Sequence, residues 1–230
     1  MKAALKRLAE GLAELVYPSR AECMGCGSRV GMPRSWLCEE CRVALASRWA
    51  GPGHAPEGGL FDGAAYGYKY GGPAAGMVRN LKYRGVRKLS EGMGRAMAQA
   101  FEGLGNVGAE LLVPVPMHPK RLRQRGFNHA AVLAERTGTG LGLPAAEALA
   151  RVRNTRQQAR LTGEERRRNM DGAFEVVGDV RGRRVVLVDD VCTTGSTANA
   201  CAKALREGGA AAVYLLCYAV AEPDSQEPDA

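Results

Sequence analysis

Residues 185–197 read VVLVDDVCTTGST, and no other stretch constrains the fold of this chain as tightly. Val185 to Val188 form a continuous apolar run, the pattern of a strand buried on both faces of a parallel sheet. Asp189 and Asp190 fall at its carboxyl end, which is where open α/β sheets bind ligands. Adjacent carboxylates there can accept hydrogen bonds from a pair of vicinal hydroxyls, as on a ribose. Thr193, Thr194, Gly195, Ser196 and Thr197 follow at once and lead into a helical pattern. Hydroxyls and free backbone N–H groups at a helix start hold a phosphate, and a glycine among them lets the main chain come close. The stretch is suited to gripping a sugar by its hydroxyls and its terminal phosphate together. An Asp-rich turn with a Thr N-cap would account for one hydroxyl, not for five such residues in a row. It is not a GxxxxGK[ST] loop, because no lysine follows Gly195.

The surrounding pattern supports an α/β domain. ELLVPVP (110–116) reads as a strand and AAVLAER (130–136) as part of a helix. GAFEVV (172–177) and RVVLV (184–188) read as strands joined through the RGR turn. TANACAKALREGG reads as a helix closed by Gly208 or Gly209, and AAVYLLCYAV (211–220) as a further apolar strand. Strands alternating with helices call for a parallel sheet with helices packed on it. The spacing predicts three regions and a tail. Residues 1–50 carry an N-terminal helix and a cysteine-rich module. Residues 51–60, beginning GPGHAPEGG, form a linker with little capacity to pack. Residues 61–220 form the α/β domain, and the acidic, Pro-containing residues 221–230 are expected to be disordered.

Charge is concentrated. Between Pro116 and Met170 twelve Lys or Arg stand against four Glu, which equals the net charge of +8 of the whole chain. Local positive charge suits an anionic partner, and equally a solvated face that aids solubility. Within it, VPVPMHPKRLRQRGFNHA (113–130) ends a strand in a Pro-rich turn and then supplies Lys120, Arg121, Arg123 and Arg125. The planar guanidinium fork pairs well with phosphate oxygens, so this turn is a candidate phosphate site, or else a basic helix start exposed to solvent. RVRNTRQQARLTGEERRRNM (151–170) is a second basic stretch; on its residues it reads as a solvated helical segment, while the resemblance of 185–197 to a phosphoribosyltransferase motif implies a mobile loop that closes over substrate there. No side chain stands out as a general base, so catalytic residues are left unassigned. His118 and His129, within the basic segment, read as structural.

Cys23, Cys26, Cys38 and Cys41 form two CxxC pairs eleven residues apart. Each knuckle can point two thiolates at one ion, and two knuckles complete a tetrahedral site. Structural zinc is the expectation; the spacing leaves iron open, and a redox CxxC would be the alternative for either pair alone. Cys192, Cys201 and Cys217 sit among apolar or small residues and read as core. Leu5, Leu8, Leu12 and Leu15 recur at helical spacing, with Lys6, Arg7, Glu10 and Glu14 interrupting any secretory core. No apolar run is long enough to span a bilayer, so membrane insertion is not expected. A chain without an export signal is expected in the cytoplasm, where a disulfide framework is disfavoured.

The 185–197 run resembles the 13-residue phosphoribosyl diphosphate (PRPP) motif of type I phosphoribosyltransferases at every position. With the cysteine module and linker ahead of it, the chain resembles the ComF family, double zinc ribbon proteins linked to natural competence. YPSRAECMGCG, LCEECR, LKYRG, RLRQRGFNHA and NTRQQARLTGEERRRNM carry that resemblance. His129 stands where the family usually has Gln. The resemblance implies a type I phosphoribosyltransferase-like parallel sheet flanked by helices, with a small N-terminal zinc-ribbon module. It implies PRPP and magnesium as ligands, with Asp189 and Asp190 on the ribose hydroxyls and Thr193 to Thr197 on the 5′-phosphate. Arg121, Arg125 and Lys82 would contact pyrophosphate or an acceptor. The implied role is assisting uptake or processing of single-stranded DNA, alongside a competence helicase or other DNA-uptake proteins. The alternative is an active phosphoribosyltransferase with a nucleobase or amine acceptor.

Overall fold

The computed structural model describes residues 20–31, 36–85, 88–153 and 172–221. The expected N-terminal helix, most of the second basic stretch and the acidic tail lie outside them. Two short strands, β1 (Arg20–Glu22) and β2 (Arg29–Gly31), form an antiparallel hairpin carrying the first cysteine knuckle. Helix α1 (Glu39–Ala46) carries the second. Then come β3 (Trp49–Gly53), β4 (Gly63–Lys69), α2 (Gly72–Tyr83), α3 (Leu89–Glu102) and β5 (Leu111–Pro114). They are followed by α4 (Pro119–Arg125), α5 (His129–Leu141), β6 (Leu149–Arg151) and β7 (Phe174–Val176). The chain closes with β8 (Arg184–Cys192), α6 (Ser196–Glu207) and β9 (Ala212–Val220).

The main sheet has the order β3-β4-β9-β8-β5, parallel except for the antiparallel edge strand β3. β8 and β9 lie inside it, and their runs of buried residues follow from that position. A buried strand cannot alternate apolar with polar, because both faces are covered. Val185, Leu187, Val213 and Leu215 turn to one face, where Cys201 and Leu205 of α6 pack on them. Val186, Val188 and Leu216 turn to the other, against Leu81 of α2, Met93 and Met97 of α3 and Leu133 of α5. Cys192, Cys201 and Cys217 are buried, as their apolar neighbours suggest.

Two expectations need correction. The strand around 174–176 does not join β8 through the RGR turn; it pairs antiparallel with β6 in a separate two-stranded sheet. And the Gly/Pro-rich stretch after residue 50 does pack. Gly51, Pro52 and Gly53 pair with Tyr66, Ala65 and Ala64 of β4. Pro52 is tolerated because β3 is an edge strand, with no partner on its outer side among the described residues to receive an N–H. Further along, the Tyr66 hydroxyl donates to the His54 carbonyl at 2.9 Å, and Asn199 Nδ2 of α6 donates to the Glu57 carbonyl at 2.7 Å.

Candidate sugar-phosphate site

The site lies where β8 runs out. Asp189 and Asp190 are the sixth and seventh residues of that strand, and strand alternation sends them to different sides. Partly buried Asp189 lines a small pocket with Thr193 to Thr197, Cys192 and Cys217. Asp190 is 3 % exposed and turns toward α2 and α5. There its Oδ2 lies 2.7 Å from His129 Nε2 and 3.0 Å from Lys82 Nζ. Lys82 comes from the last turn of α2, and His129 is the first residue of α5. His129 is aimed by Asn128, whose Oδ1 caps the helix by accepting from the Ala130 N–H at 3.1 Å. The Asn128 amide also donates to the Val115 carbonyl at 3.1 Å, which ties α5 to the end of β5.

This arrangement drives the two carboxyls apart in proton affinity. For Asp190, burial alone would raise it, but the adjacent Lys82 and His129 hold it well below the usual carboxylate range. For Asp189, burial and then the Asp190 charge push the carboxyl up to about 7, against weaker pulls from His129 and Lys82. One acid is a locked counter-ion. The other is left with acceptor capacity toward the pocket, apart from a 2.8 Å bond that its Oδ1 accepts from the Asp190 N–H.

The loop beyond them is shaped by Gly195. It is the N-cap of α6 at φ 72°, so it offers no capping oxygen. The first N–H groups of α6 therefore face the loop, flanked by the Thr194 and Ser196 hydroxyls, which lie 2.9 Å apart. A Cβ on Gly195 would sit 2.3 Å from Pro56 Cβ, so the 54–59 segment lies directly on the anion loop. Gly195→Ala adds this clash to roughly 1–2 kcal/mol of left-handed strain. It should weaken binding of a phosphorylated ribose by at least tenfold, read by calorimetry. Unchanged affinity in the folded variant would remove the loop from the site.

The expected residues are only partly assembled. Asp189 and the Thr193–Thr197 loop share one pocket, but Asp190, expected on the ribose hydroxyls as well, does not line it and is turned to Lys82 and His129. Of the three residues expected on pyrophosphate or an acceptor, Lys82 is engaged with Asp190, Arg125 lies over the exposed Tyr83 ring at 5.0 Å, and Arg121 is exposed on α4. Sequence reading passed over two residues. His129 read as structural, yet it touches Asp190. Arg151 of β6 lies over Phe174 at 5.5 Å, within electrostatic range of Asp189 and Arg121. It also lines a second cavity of about 160 Å³ beside Pro116, Leu122 and Leu149. An acid buried at a strand end demands a cationic partner, and that was the one signal for His129.

The four cysteine sulfurs offer a second centre, all within 4.8 Å of one another. Cys26 Sγ and Cys38 Sγ are 3.9 Å apart, close to the edge of about 3.8 Å for a tetrahedron with metal–sulfur bonds of about 2.3 Å. Backbone N–H groups of Gly25 and Cys38 point at Cys23 Sγ (3.4 and 3.2 Å) and that of Cys41 at Cys38 Sγ (3.4 Å), as thiolate ligands require. The donor set fits a tetrahedral ion.

A phosphoribosyl transferase domain model matches residues 124–230. The chain is 33% identical over 153 residues to the DNA utilization protein YhgH of Escherichia coli K12, covering 64% of this chain and 67% of that protein. It is 38% identical over 104 residues to Competence protein F of Haemophilus influenzae, covering 44% and 45%. Among solved structures, purine phosphoribosyltransferase from Pyrococcus horikoshii aligns at 21% identity and a TM-score of 0.38, over 60% of this chain and 77% of that one.

Proposed function

The chain belongs to the ComF family of competence-related, phosphoribosyltransferase-like proteins, and from that premise we propose that it binds PRPP with magnesium and assists handling of single-stranded DNA in the cytoplasm. The observation that carries the reading is the pocket in which Asp189 faces Thr193 to Thr197 and the uncapped start of α6. In it, Asp189 accepts from ribose hydroxyls, and the loop N–H and hydroxyl groups hold the 5′-phosphate. Asp190 keeps Lys82 and His129 beneath. Magnesium, a hard cation, suits the Asp189 oxygens and the ligand's own phosphates, and when bound it neutralises pyrophosphate charge. Arg121 and Arg125 of α4 lie within reach of that charge by proposal. A structural zinc ion occupies the four-cysteine site in this reading.

Two features support the nucleic-acid part. The basic excess lies in one segment. Beside it stands the exposed Tyr83 ring with Arg125 over it, and elsewhere on the surface the exposed Trp36 ring lies under Lys88 at 6.0 Å; such pairings give unstacked bases a surface to pile on. A competence helicase or another DNA-uptake protein is the proposed protein partner. No helix among the described residues is long and apolar enough to cross a membrane.

Calorimetry with PRPP and magnesium, beside titrations of single-stranded DNA at several salt concentrations, tests the proposal. PRPP should bind. DNA affinity should fall with a log–log slope of about −0.7 per phosphate contact. No PRPP binding sinks the sugar-phosphate reading, and a flat salt response sinks the nucleic-acid one. The second cavity favours one further reading, phosphoribosyl transfer: its size suits a planar base, next to Arg151. Pyrophosphate release from PRPP in the presence of nucleobases would establish it.

A further inference from the structure

Helix α2 carries Lys82 to Asp190 at one end of a chain of contacts and touches the cysteine module at the other. Gly76, on its inner face, meets the first knuckle so closely that a Cβ there would lie 1.9 Å from the Gly25 carbonyl oxygen. Gly25 in turn is wedged: its own Cβ would lie 2.9 Å from Cys41 Sγ and 3.0 Å from Pro73 Cβ. One turn after Gly76, Asn80 Nδ2 donates to the Met24 carbonyl at 2.9 Å and back to the Gly76 carbonyl at 3.0 Å. Met24 and Gly25 are the two residues between Cys23 and Cys26. Lys82 follows Asn80 by two residues and reaches Asp190 at 3.0 Å. The path from metal ligands to sugar site is thus continuous: knuckle backbone, Gly76 and Asn80, Lys82, Asp190.

We propose that Gly76 and Asn80 are positioning residues through which the metal-loaded cysteine module holds Lys82 on Asp190 and so sets affinity at the sugar-phosphate site. The proposal rests on the four-cysteine metal and PRPP readings above. Its physical basis is that a knuckle without metal keeps its hairpin hydrogen bonds, such as Gly27 N–H to the Cys23 carbonyl, but loses the sulfur links that tie it to the second knuckle. The Met24 carbonyl and Gly25 then leave α2, and the last turn of the helix loses the Asn80 bond while Leu81 stays in the core. Lys82 then spends more time away from Asp190. With Lys82 displaced, the Asp190 side chain keeps His129 but loses the contact that fixes it from the α2 side, and Asp189, the preceding residue of β8, is no longer held in the same position toward the pocket. Metal loss, by chelation or by oxidation of the cysteine thiolates, would then be felt at the ligand site.

Gly76→Ala is the sharpest test, because alanine inside a helix is normally stabilising, so a loss cannot come from the helix itself. Asn80→Asp is nearly isosteric but cannot donate to Met24. Full-length wild type and both variants are titrated with PRPP and magnesium, before and after metal removal with a chelator. Wild type should weaken about tenfold on chelation, within the range that coupled sites show. Each variant should weaken by about as much with its metal in place, and chelation should add little to it. Unchanged affinity in folded variants, or a full second tenfold loss on chelating them, would overturn the coupling. Amide hydrogen exchange gives a readout that needs no ligand. Chelating wild type should speed exchange at residues 80–84 and at 189–191; protection unchanged at 189–191 overturns the coupling by itself. Absence of PRPP binding in the metal-loaded wild type would instead fault the proposed ligand, leaving exchange to decide the coupling.

Discussion

Asp190→Asn is expected to cost about 3–5 kcal/mol of folding stability, while Asp189→Asn, one residue away, should cost none. Asp190 is the buried counter-ion of Lys82 and lies 2.7 Å from His129. An asparagine there leaves the ammonium unpaired in a low-dielectric site and turns its own NH₂ toward a donor. Breaking a buried pair from one side is penalised at that scale. Lys82→Met in the same chain should recover part of the loss, since removing both charges is far cheaper than removing one. Asp189→Asn acts on binding instead. At pH 8, above the value of about 7 to which the Asp189 carboxyl is pushed, losing a charged acceptor for a ribose hydroxyl costs roughly 1.5–3 kcal/mol, about one to two decades of PRPP affinity. Urea unfolding and calorimetry on each single variant separate the two. Asp190→Asn within 1 kcal/mol of wild type would mean the pair is not formed.

The same pair fixes the direction of a pH effect. The Asp189 carboxyl is pushed up to about 7, against an ordinary value near 3.8. Between those values the folded chain keeps a proton that the unfolded chain has released. Stability therefore falls as pH rises through that window and is flat above it. Asp190 works the other way: its contribution is present above the ordinary carboxylate range and is lost as pH falls through and below it. Asp189→Asn should remove the decline between about 4 and 7 and gain stability at pH 8 but not at pH 4. Denaturant midpoints across pH measure this; an identical pH profile in the variant would contradict the environment described for Asp189.

What could be read from the sequence was local. Val185 to Thr197 carry strand, acid pair and anion loop within thirteen residues, and each part announces itself by its own chemistry. The four cysteines do so by spacing. The remainder depends on partners far along the chain. β6 and β7 are three residues each, separated by more than twenty, too short to show a period of two. WAGPG has the composition of a turn, and only its place at a sheet edge makes it β3. Lys82, His129 and Asp190 come from three separate elements, so nothing in any one of them announces the cluster. Gly76 lies inside α2 because another backbone passes against it, a contact that helical periodicity does not announce.

That contact changes the expected consequence of losing the metal site. If the Gly/Pro-rich stretch were a slack linker, Cys38→Ser with Cys41→Ser would unfold the module and leave the α/β domain untouched. The structure joins the two. Leu45 of α1, four residues after Cys41, is buried in the same core as Leu81 and Met97. The Met24 carbonyl is bonded to α2, and β3 continues from α1 into the main sheet. The module itself depends on its ion, since metal binding in domains this small is worth about 10–16 kcal/mol and substitutes for a core. When it opens, the domain loses the burial of Leu45, about 1.5–3 kcal/mol, and the Asn80 bond, about 0.5–1.5 kcal/mol. At about 2–4 °C per kcal/mol for a domain of this size, the main transition should fall by about 5–15 °C, together with loss of one bound metal per chain. Elemental analysis and a thermal scan on the same preparation read both quantities. Metal lost with the main transition unmoved would restore two independent cores, and metal retained would remove these cysteines as its ligands.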